Sequence, residues 1–170
     1  MDVFTAGIGN QVIGPANGEP LDFGSVRGRL KVDARLSAGR VAAAHFPAIP
    51  PRTLGAPLHR HHREDEYTCV LAGTLSVQLG DRMLDVTAGN WVIKPRGQWH
   101  TFWNAQEAPC AAIEIVSPAG FEQYFKDAAA LGGNLDQLAS LNATYGIDMD
   151  FQSVSALCER FRLQFPLSPM

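Results

Sequence analysis

Three histidines and one glutamate lie in two short segments of the chain, at spacings that could bring them around one metal ion. His59 and His61 are separated by one residue, so on a β-strand both side chains leave the same face. Glu66 follows five residues later, and His100 lies on a separate predicted strand just after a Pro-Arg-Gly turn. Imidazole and carboxylate groups suit a first-row divalent metal ion, and four such ligands leave coordination positions for water, substrate or O2.

The neighbouring polar residues complicate the assignment of ligands. Strand alternation puts the His62 side chain on the face opposite His59 and His61, so we expect it to be exposed. Glu64 carries a suitable donor atom close to Glu66, so both carboxylates are candidates at this point. Three histidines facing solvent are the alternative, because buried rings would need partners for their nitrogen atoms.

Both segments resemble the two sequence motifs of the cupin superfamily. The first, HRHHREDEYTCVLAG at 59–73, reads His-x-His, four residues, glutamate, six residues and glycine. The second, GNWVIKPRGQWHTFWN at 89–104, reads glycine, five residues, proline, one residue, glycine, two residues, histidine, three residues and asparagine. The short spacer between them is typical of small single-domain members, and the chain resembles the quercetin dioxygenase-like proteins among these.

The resemblance implies that one divalent transition metal ion (Fe, Ni, Mn, Co, Cu or Zn) is held by His59, His61, Glu66 and His100. The family spacing to Gly73 favours Glu66 over Glu64 as the carboxylate ligand. We expect Glu64 to belong instead to a solvated charge cluster, together with Arg60, Arg63 and Asp65. Glu66 is also the candidate catalytic residue, as a general base that takes a proton from the substrate, with simple ligation as the alternative.

The reaction is less constrained than the metal site, because one fold hosts many chemistries. The resemblance implies a metal-dependent dioxygenase that uses O2 and acts on an enolic or aromatic small molecule. A redox-neutral isomerase, decarboxylase or cyclase with the metal as a Lewis acid is the first alternative. A ligand-binding cupin without turnover is the second alternative, and the resemblance further implies a homodimer.

Three residues are candidates for the substrate pocket because each shares a strand face with a predicted ligand. Phe102 lies two residues beyond His100, and Thr68 and Val70 lie two and four residues beyond Glu66. An inward phenylalanine would make the cavity floor apolar and suit an aromatic or enolic substrate. Ordinary packing inside the barrel is the alternative interpretation for all three.

Short strands joined by tight turns must position these residues. The segment from Arg29 to Leu36 alternates polar and apolar residues, which predicts a half-buried strand. Gly80-Asp81 separates two alternating runs and predicts a two-residue hairpin connection. With the strands that follow, the chain has about eight or more short strands at hairpin spacing, which predicts a mainly β protein with a cupin-type antiparallel β-barrel, or jelly roll.

After Val116 the apolar residues recur at helical spacing. Ser117-Pro118 predicts a helix start and Gly132-Gly133 its end, and two further helices are predicted at about 134–145 and 153–163. We therefore divide a single domain into an N-terminal arm with edge strands (1–39), a barrel core (40–117) and a C-terminal helical extension (118–170). The extension could form a lid hinged at Gly132-Gly133, with a static cap or a dimer contact as the alternatives.

The overall composition argues against several classes of function. The net charge is −3 and 18% of residues are charged. This composition lacks the excess of basic residues that binding to nucleic acid or to an anionic membrane requires. Cys69 and Cys110 lie in apolar runs and are expected to be buried, reduced thiols. Neither a secretory signal nor a long apolar run is visible. We expect a cytoplasmic protein whose partner is a small-molecule substrate.

Overall fold

A computed structural model describes residues 12–130 and 135–166 of the 170-residue chain. Its strands are β1 (Glu19–Phe23), β2 (Val26–Val32), β3 (Ala42–Ile49), β4 (Thr53–Leu54), β5 (Leu58–His61), β6 (Asp65–Ala72), β7 (Thr74–Leu79), β8 (Arg82–Thr87), β9 (Trp91–Lys94), β10 (His100–Asn104), β11 (Cys110–Ser117) and β12 (Ile147–Asp150). Its helices are α1 (Ala34–Ser37), α2 (Glu122–Ala130), α3 (Leu135–Tyr145) and α4 (Ser153–Phe161).

The strands form two sheets that face each other. The first sheet has the order β1-β2-β3-β11-β6-β9, and the second has the order β12-β5-β10-β7-β8 with β4 also paired to β10. The pairings between these strands are antiparallel. The predicted mainly β fold, an antiparallel barrel with C-terminal helices, is confirmed.

The main apolar core lies between the two sheets. Ile49 and Val70 come from the first sheet, Leu75 and Val77 come from the second, and all four are buried in one cluster. Alternation also carries polar residues into this interior: in β9, Lys94 is buried while the side chains on the other face of the strand are exposed. The sheets therefore enclose charged groups as well as apolar ones.

The glycine that ends the first motif is required by the turn between β6 and β7. Gly73 has a φ of 74°, in the left-handed region that favours glycine. A Cβ atom there would lie 3.0 Å from the Cβ atom of Cys110 and 3.1 Å from the carbonyl oxygen of Pro109. Both the dihedral angle and the space available select glycine at this position.

Two local predictions are wrong. β2 ends at Val32, and Asp33 caps α1 because its side chain accepts a 2.8 Å hydrogen bond from the backbone N–H of Leu36. Ser117 does not cap a helix, because it is the last residue of β11 and pairs with Asp65 of β6. α2 begins five residues later than this serine.

The C-terminal extension packs against the second sheet. β12, which the sequence analysis did not predict, pairs with β5 and places Ile147 opposite His61. Phe121 and Tyr124 pack against Ile147 in one apolar cluster. The predicted hinge at Gly132-Gly133 lies outside the described residues. Within residues 12–130 and 135–166, no helix has the length and apolar character needed to cross a bilayer.

Candidate metal centre

The four predicted metal ligands are brought together inside the barrel. His59 and His61 come from β5, Glu66 from β6 and His100 from β10. The pairing of β10 with β5 places His100 opposite His59, which brings the two motifs into contact. One ligand atom from each residue lies within 4.8 Å of the other three, and all four residues are buried.

Backbone carbonyls orient two of the imidazole rings. The Nδ1 atom of His59 is 2.8 Å from the carbonyl oxygen of Pro57, and that of His100 is 2.9 Å from the carbonyl oxygen of Gln98. Because a carbonyl oxygen can only accept, each Nδ1 atom must carry the proton and donate it. A metal ion would therefore bind both rings through their Nε2 atoms, and the Nε2 atom of His100, which lies 2.6 Å from Oε2 of Glu66, would release the proton that it donates there.

His61 lies instead between two carboxylates. Its Nδ1 atom lies 3.3 Å from Oε2 of Glu64, and its Nε2 atom lies 3.5 Å from Oε1 of Glu66. Both ring nitrogens and Glu64 Oε2 are buried without a hydrogen-bond partner among the described residues. An unpaired buried imidazole is costly, and a cation on its Nε2 side would satisfy it. The donor set therefore fits a divalent metal ion.

The expected surroundings of this cluster are only partly correct. Glu64 is 7% exposed, so its placement in a solvated charge cluster is wrong. Its Oε2 atom lies 3.3 Å from the Nδ1 atom of the buried His61 ring instead. The His62 side chain is 47% exposed and lies 3.0 Å from Asp148, on the outer side of the strand, as the alternation of β5 predicts.

The electrostatics of the cluster favour the ligating protonation states of His59 and Glu66. Burial lowers the pKa of His59 well below its usual range, and the positive charge of His100 adds to this effect. Burial alone would raise the pKa of Glu66, but the charge of Lys94 and a hydrogen bond from His100 hold that pKa well below its usual range. A neutral imidazole and an ionised carboxylate are the ligating forms.

A second charged network, absent from the sequence predictions, lies directly beside Glu66. The Lys94 ammonium is 3.2 Å from Oε2 of Glu66 and donates a 2.7 Å hydrogen bond to Oε1 of Glu114. The Thr68 hydroxyl donates a 2.7 Å hydrogen bond to Oε2 of Glu114. Burial raises the pKa of Glu114 to about 7, although Lys94 acts in the opposite direction. The available signal was a single glutamate within the apolar run AAIEIV.

The three predicted pocket residues fall in different surroundings. Thr68 belongs to the charged network, whereas Val70 is fully buried in the apolar core. Phe102 is partly buried against that core, and the Lys94 Nζ atom lies 5.7 Å from the centre of its ring. A Cβ atom on Gly55 would lie 2.0 Å from this ring, so the backbone there packs directly on Phe102. Contact of these residues with a substrate stays a prediction.

An aromatic side chain from the C-terminal extension reaches the cluster. The ring of Phe121 stands edge-on to the ring of His61, with 4.2 Å between their centres. Tyr124 stacks on Phe121 at 5.0 Å, which extends the aromatic contact into α2. The extension therefore packs directly against one of the candidate ligands, a contact of Phe121 that the sequence analysis did not predict.

Comparisons with known proteins agree with this geometry. Residues 46–116 match the family model described as the cupin domain, Cupin_2. The fold resembles that of a protein from Thermotoga maritima described as a predicted oxalate decarboxylase, with a TM-score of 0.58. The two chains are 16% identical, and the match covers 63% of this chain and 98% of that chain. KdgF from Halomonas sp. has a TM-score of 0.51 and 18% identity, covering 58% and 84%. These similarities to solved structures concern the fold.

Two curated relatives from Oryza sativa subsp. japonica are similar in sequence. Germin-like protein 9-2 is 30% identical over 134 residues, which is 62% of this chain and 62% of the relative. Germin-like protein 9-3 is 26% identical over 121 residues, which is 61% of this chain and 56% of the relative. The chain spans about three fifths of the length of these relatives.

The fold, the site and the family model together define the class. Residues 46–116 match the cupin domain model, and this segment carries a histidine and glutamate cluster that can hold a metal ion. The predicted cupin-type fold is thereby confirmed, and the family match covers the part of the chain that holds the cluster. The quercetinase-like specificity, the homodimer and the cytoplasmic location stay predictions.

Proposed function

We propose that this chain is a metal-dependent enzyme acting on a small organic molecule, with the metal held by His59, His61, Glu66 and His100. The arrangement of the three rings and the carboxylate carries this proposal, because their ligand atoms lie within 4.8 Å of one another. Hydrogen bonds from two Nδ1 atoms to backbone carbonyls orient the rings, which supports a site built for a cation.

A divalent ion in this site would supply Lewis-acid activation of a substrate oxygen. The protein would supply the orientation of the rings and an ionised Glu66. The low pKa of Glu66 supports ligation as its role rather than proton abstraction, because a general base works best when its pKa lies near the working pH.

Redox-neutral chemistry, such as that of an isomerase, decarboxylase or cyclase, is the reaction class that the interior supports best. The buried network of Lys94, Glu114 and Thr68 gives the barrel charged and hydroxyl groups close to Glu66. Such groups suit a polar, oxygen-rich substrate better than a large apolar one. A dioxygenase acting on an enolic or aromatic substrate is the second candidate, supported by the partly buried ring of Phe102.

Metal content measured on purified variants tests the site. We expect His59→Ala, His61→Ala and His100→Ala each to lower the bound metal well below one ion per chain. His62→Ala is the matched control, because it removes an imidazole outside the cluster and should leave the metal content unchanged. Full occupancy in all three cluster variants would overturn the proposed metal centre.

Turnover with and without oxygen separates the two reaction classes. Protein reconstituted with Fe, Ni or Mn is incubated with small enolic and carboxylic compounds, and products and oxygen consumption are measured. Turnover under strictly anaerobic conditions would support the redox-neutral class. Turnover only with stoichiometric oxygen consumption would replace it by the dioxygenase. Tight binding without any product would indicate a ligand-binding protein instead of an enzyme.

A further inference from the structure

A buried ammonium group is shared between two carboxylates inside the barrel. Lys94 is 2% exposed, and its Nζ atom lies 2.7 Å from Glu114 and 3.2 Å from Glu66. Glu66 belongs to the metal cluster and Glu114 does not. The Lys94 charge is therefore divided between the proposed metal ligand and a carboxylate outside the metal site.

Lys94 and a metal ion would interact with the same carboxylate. Oε2 of Glu66 lies 2.6 Å from the Nε2 atom of His100, so the oxygen that faces Lys94 also faces the ligand cluster. Two cations beside one carboxylate repel each other, and inside a protein this repulsion is only weakly screened. The closer Lys94 binds to Glu66, the less of the negative charge of Glu66 remains for a metal ion.

The geometry around Glu114 favours keeping the ammonium away from Glu66. Thr68 donates a hydrogen bond to the second oxygen of Glu114, which fixes the orientation of this carboxylate. The shorter of the two Lys94 contacts is the one to Glu114. A hydrogen bond between two charged groups at 2.7 Å, as from Lys94 to Glu114, is stronger than a hydrogen bond between neutral groups.

We propose that Glu114 sets the metal affinity of this cupin by holding the Lys94 ammonium, so that Glu66 stays available as a ligand. Glu114 is a positioning residue in this account, because it acts through Lys94 and not on the metal itself. The inference rests on the proposed metal site. It predicts that loss of Glu114 weakens metal binding and that simultaneous loss of the Lys94 charge restores it.

The experiment compares the binding of Co2+ to three variants by calorimetry and by the visible absorption spectrum of the ion, at about pH 8, where Glu114 is ionised. Glu114→Gln should raise the Kd by about 10- to 100-fold, the usual effect of losing a residue that positions a ligand. The double variant Lys94→Met/Glu114→Gln removes both charges and should return the Kd to within a few-fold of the original. Glu107→Gln, at a side chain that is 80% exposed, is the control and should bind as the original chain does.

Each outcome decides one question. If the unaltered chain binds no Co2+ and neither does any other divalent ion, the proposed metal site fails. If it binds and Glu114→Gln has the same Kd, or if the double variant stays as weak as Glu114→Gln, the inference about Glu114 is wrong and the site stands. If Glu114→Gln does not fold by circular dichroism, Thr68→Val is the milder variant. It should raise the Kd by a few-fold, and an unchanged Kd would overturn the inference.

Discussion

Replacing Glu64 by alanine should weaken metal binding although it changes none of the four proposed ligands. The Glu64 carboxylate lies 3.3 Å from the Nδ1 atom of His61, and neither atom has a hydrogen-bond partner among the described residues. Once a metal ion takes the Nε2 lone pair of His61, the proton must sit on Nδ1 and point towards this carboxylate. Glu64 would therefore hold the ring of His61 in its ligating orientation.

The size of the effect follows from the burial of this contact. A hydrogen bond to a charged group contributes about 1.5–3 kcal/mol where water cannot replace it. That free energy corresponds to a Kd for the metal about 10- to 100-fold higher in Glu64→Ala. Glu64→Gln keeps an oxygen that can accept from Nδ1, so its Kd should rise by only a few-fold.

Calorimetric titration of the metal-free variants with Co2+ measures these constants, with Glu107→Gln as the exposed control. An unchanged Kd in Glu64→Ala would refute the reasoning. His61→Ala then shows which part is wrong. If His61→Ala loses the metal, only the role of Glu64 fails, and if it keeps the metal, His61 is not a ligand.

Three further predictions concern the turn, an ion pair and the glutamate ligand. Gly73→Ala should lower the free energy of unfolding, measured in urea, by about 1–3 kcal/mol more than Gly89→Ala does. Both glycines have positive φ, but of these two only Gly73 has neighbouring atoms within contact distance of an added Cβ atom. Hydrogen bonds from Arg96 lower the pKa of Asp65 to about 2, so its stabilising effect is present above about pH 4 and is lost as the pH falls towards 2. Over that pH range, the free energy of unfolding of Asp65→Asn should therefore fall by less than that of the original chain. The difference should be about 1 kcal/mol or less, because Arg96 is half exposed, and an equal fall in both proteins would contradict this. Glu66→Gln should lose both metal and turnover if Glu66 is a ligand, whereas retained metal with lost turnover in an activity assay would assign it proton transfer instead.

The sequence was enough to predict the residues of the candidate cluster, because strand geometry pairs His59 with His61 and the resemblance to the cupin motifs adds Glu66 and His100. Side chains two residues apart on a strand leave the same face, so His59 and His61 had to lie together once β5 formed. The same rule placed Phe102 on the face of His100, and the structure packs its ring on Gly55 inside the barrel. These two inferences needed only the position of each strand and the alternation of side chains between its two faces.

The charged network beside the cluster was not predictable in this way. Lys94, Glu66 and Glu114 come from β9, β6 and β11, and each pairing is set by the order of strands in the first sheet. A lysine at a strand end and a charged run around Glu64 are patterns that usually belong to the surface. Burial of such charges is tolerated only when partners surround them, and those partners are distant in sequence.

The sequence alone determined the strand periodicity and the tight turns, because these depend on local backbone geometry. The resemblance of its two motifs to those of the cupins identified the four candidate ligands. Only the tertiary structure decided that β12 pairs with β5, that Phe121 packs on His61 and that Lys94 lies between Glu66 and Glu114. Those contacts join residues from separate strands and helices. Their energies depend on the low-dielectric interior that exists only after the sheets close.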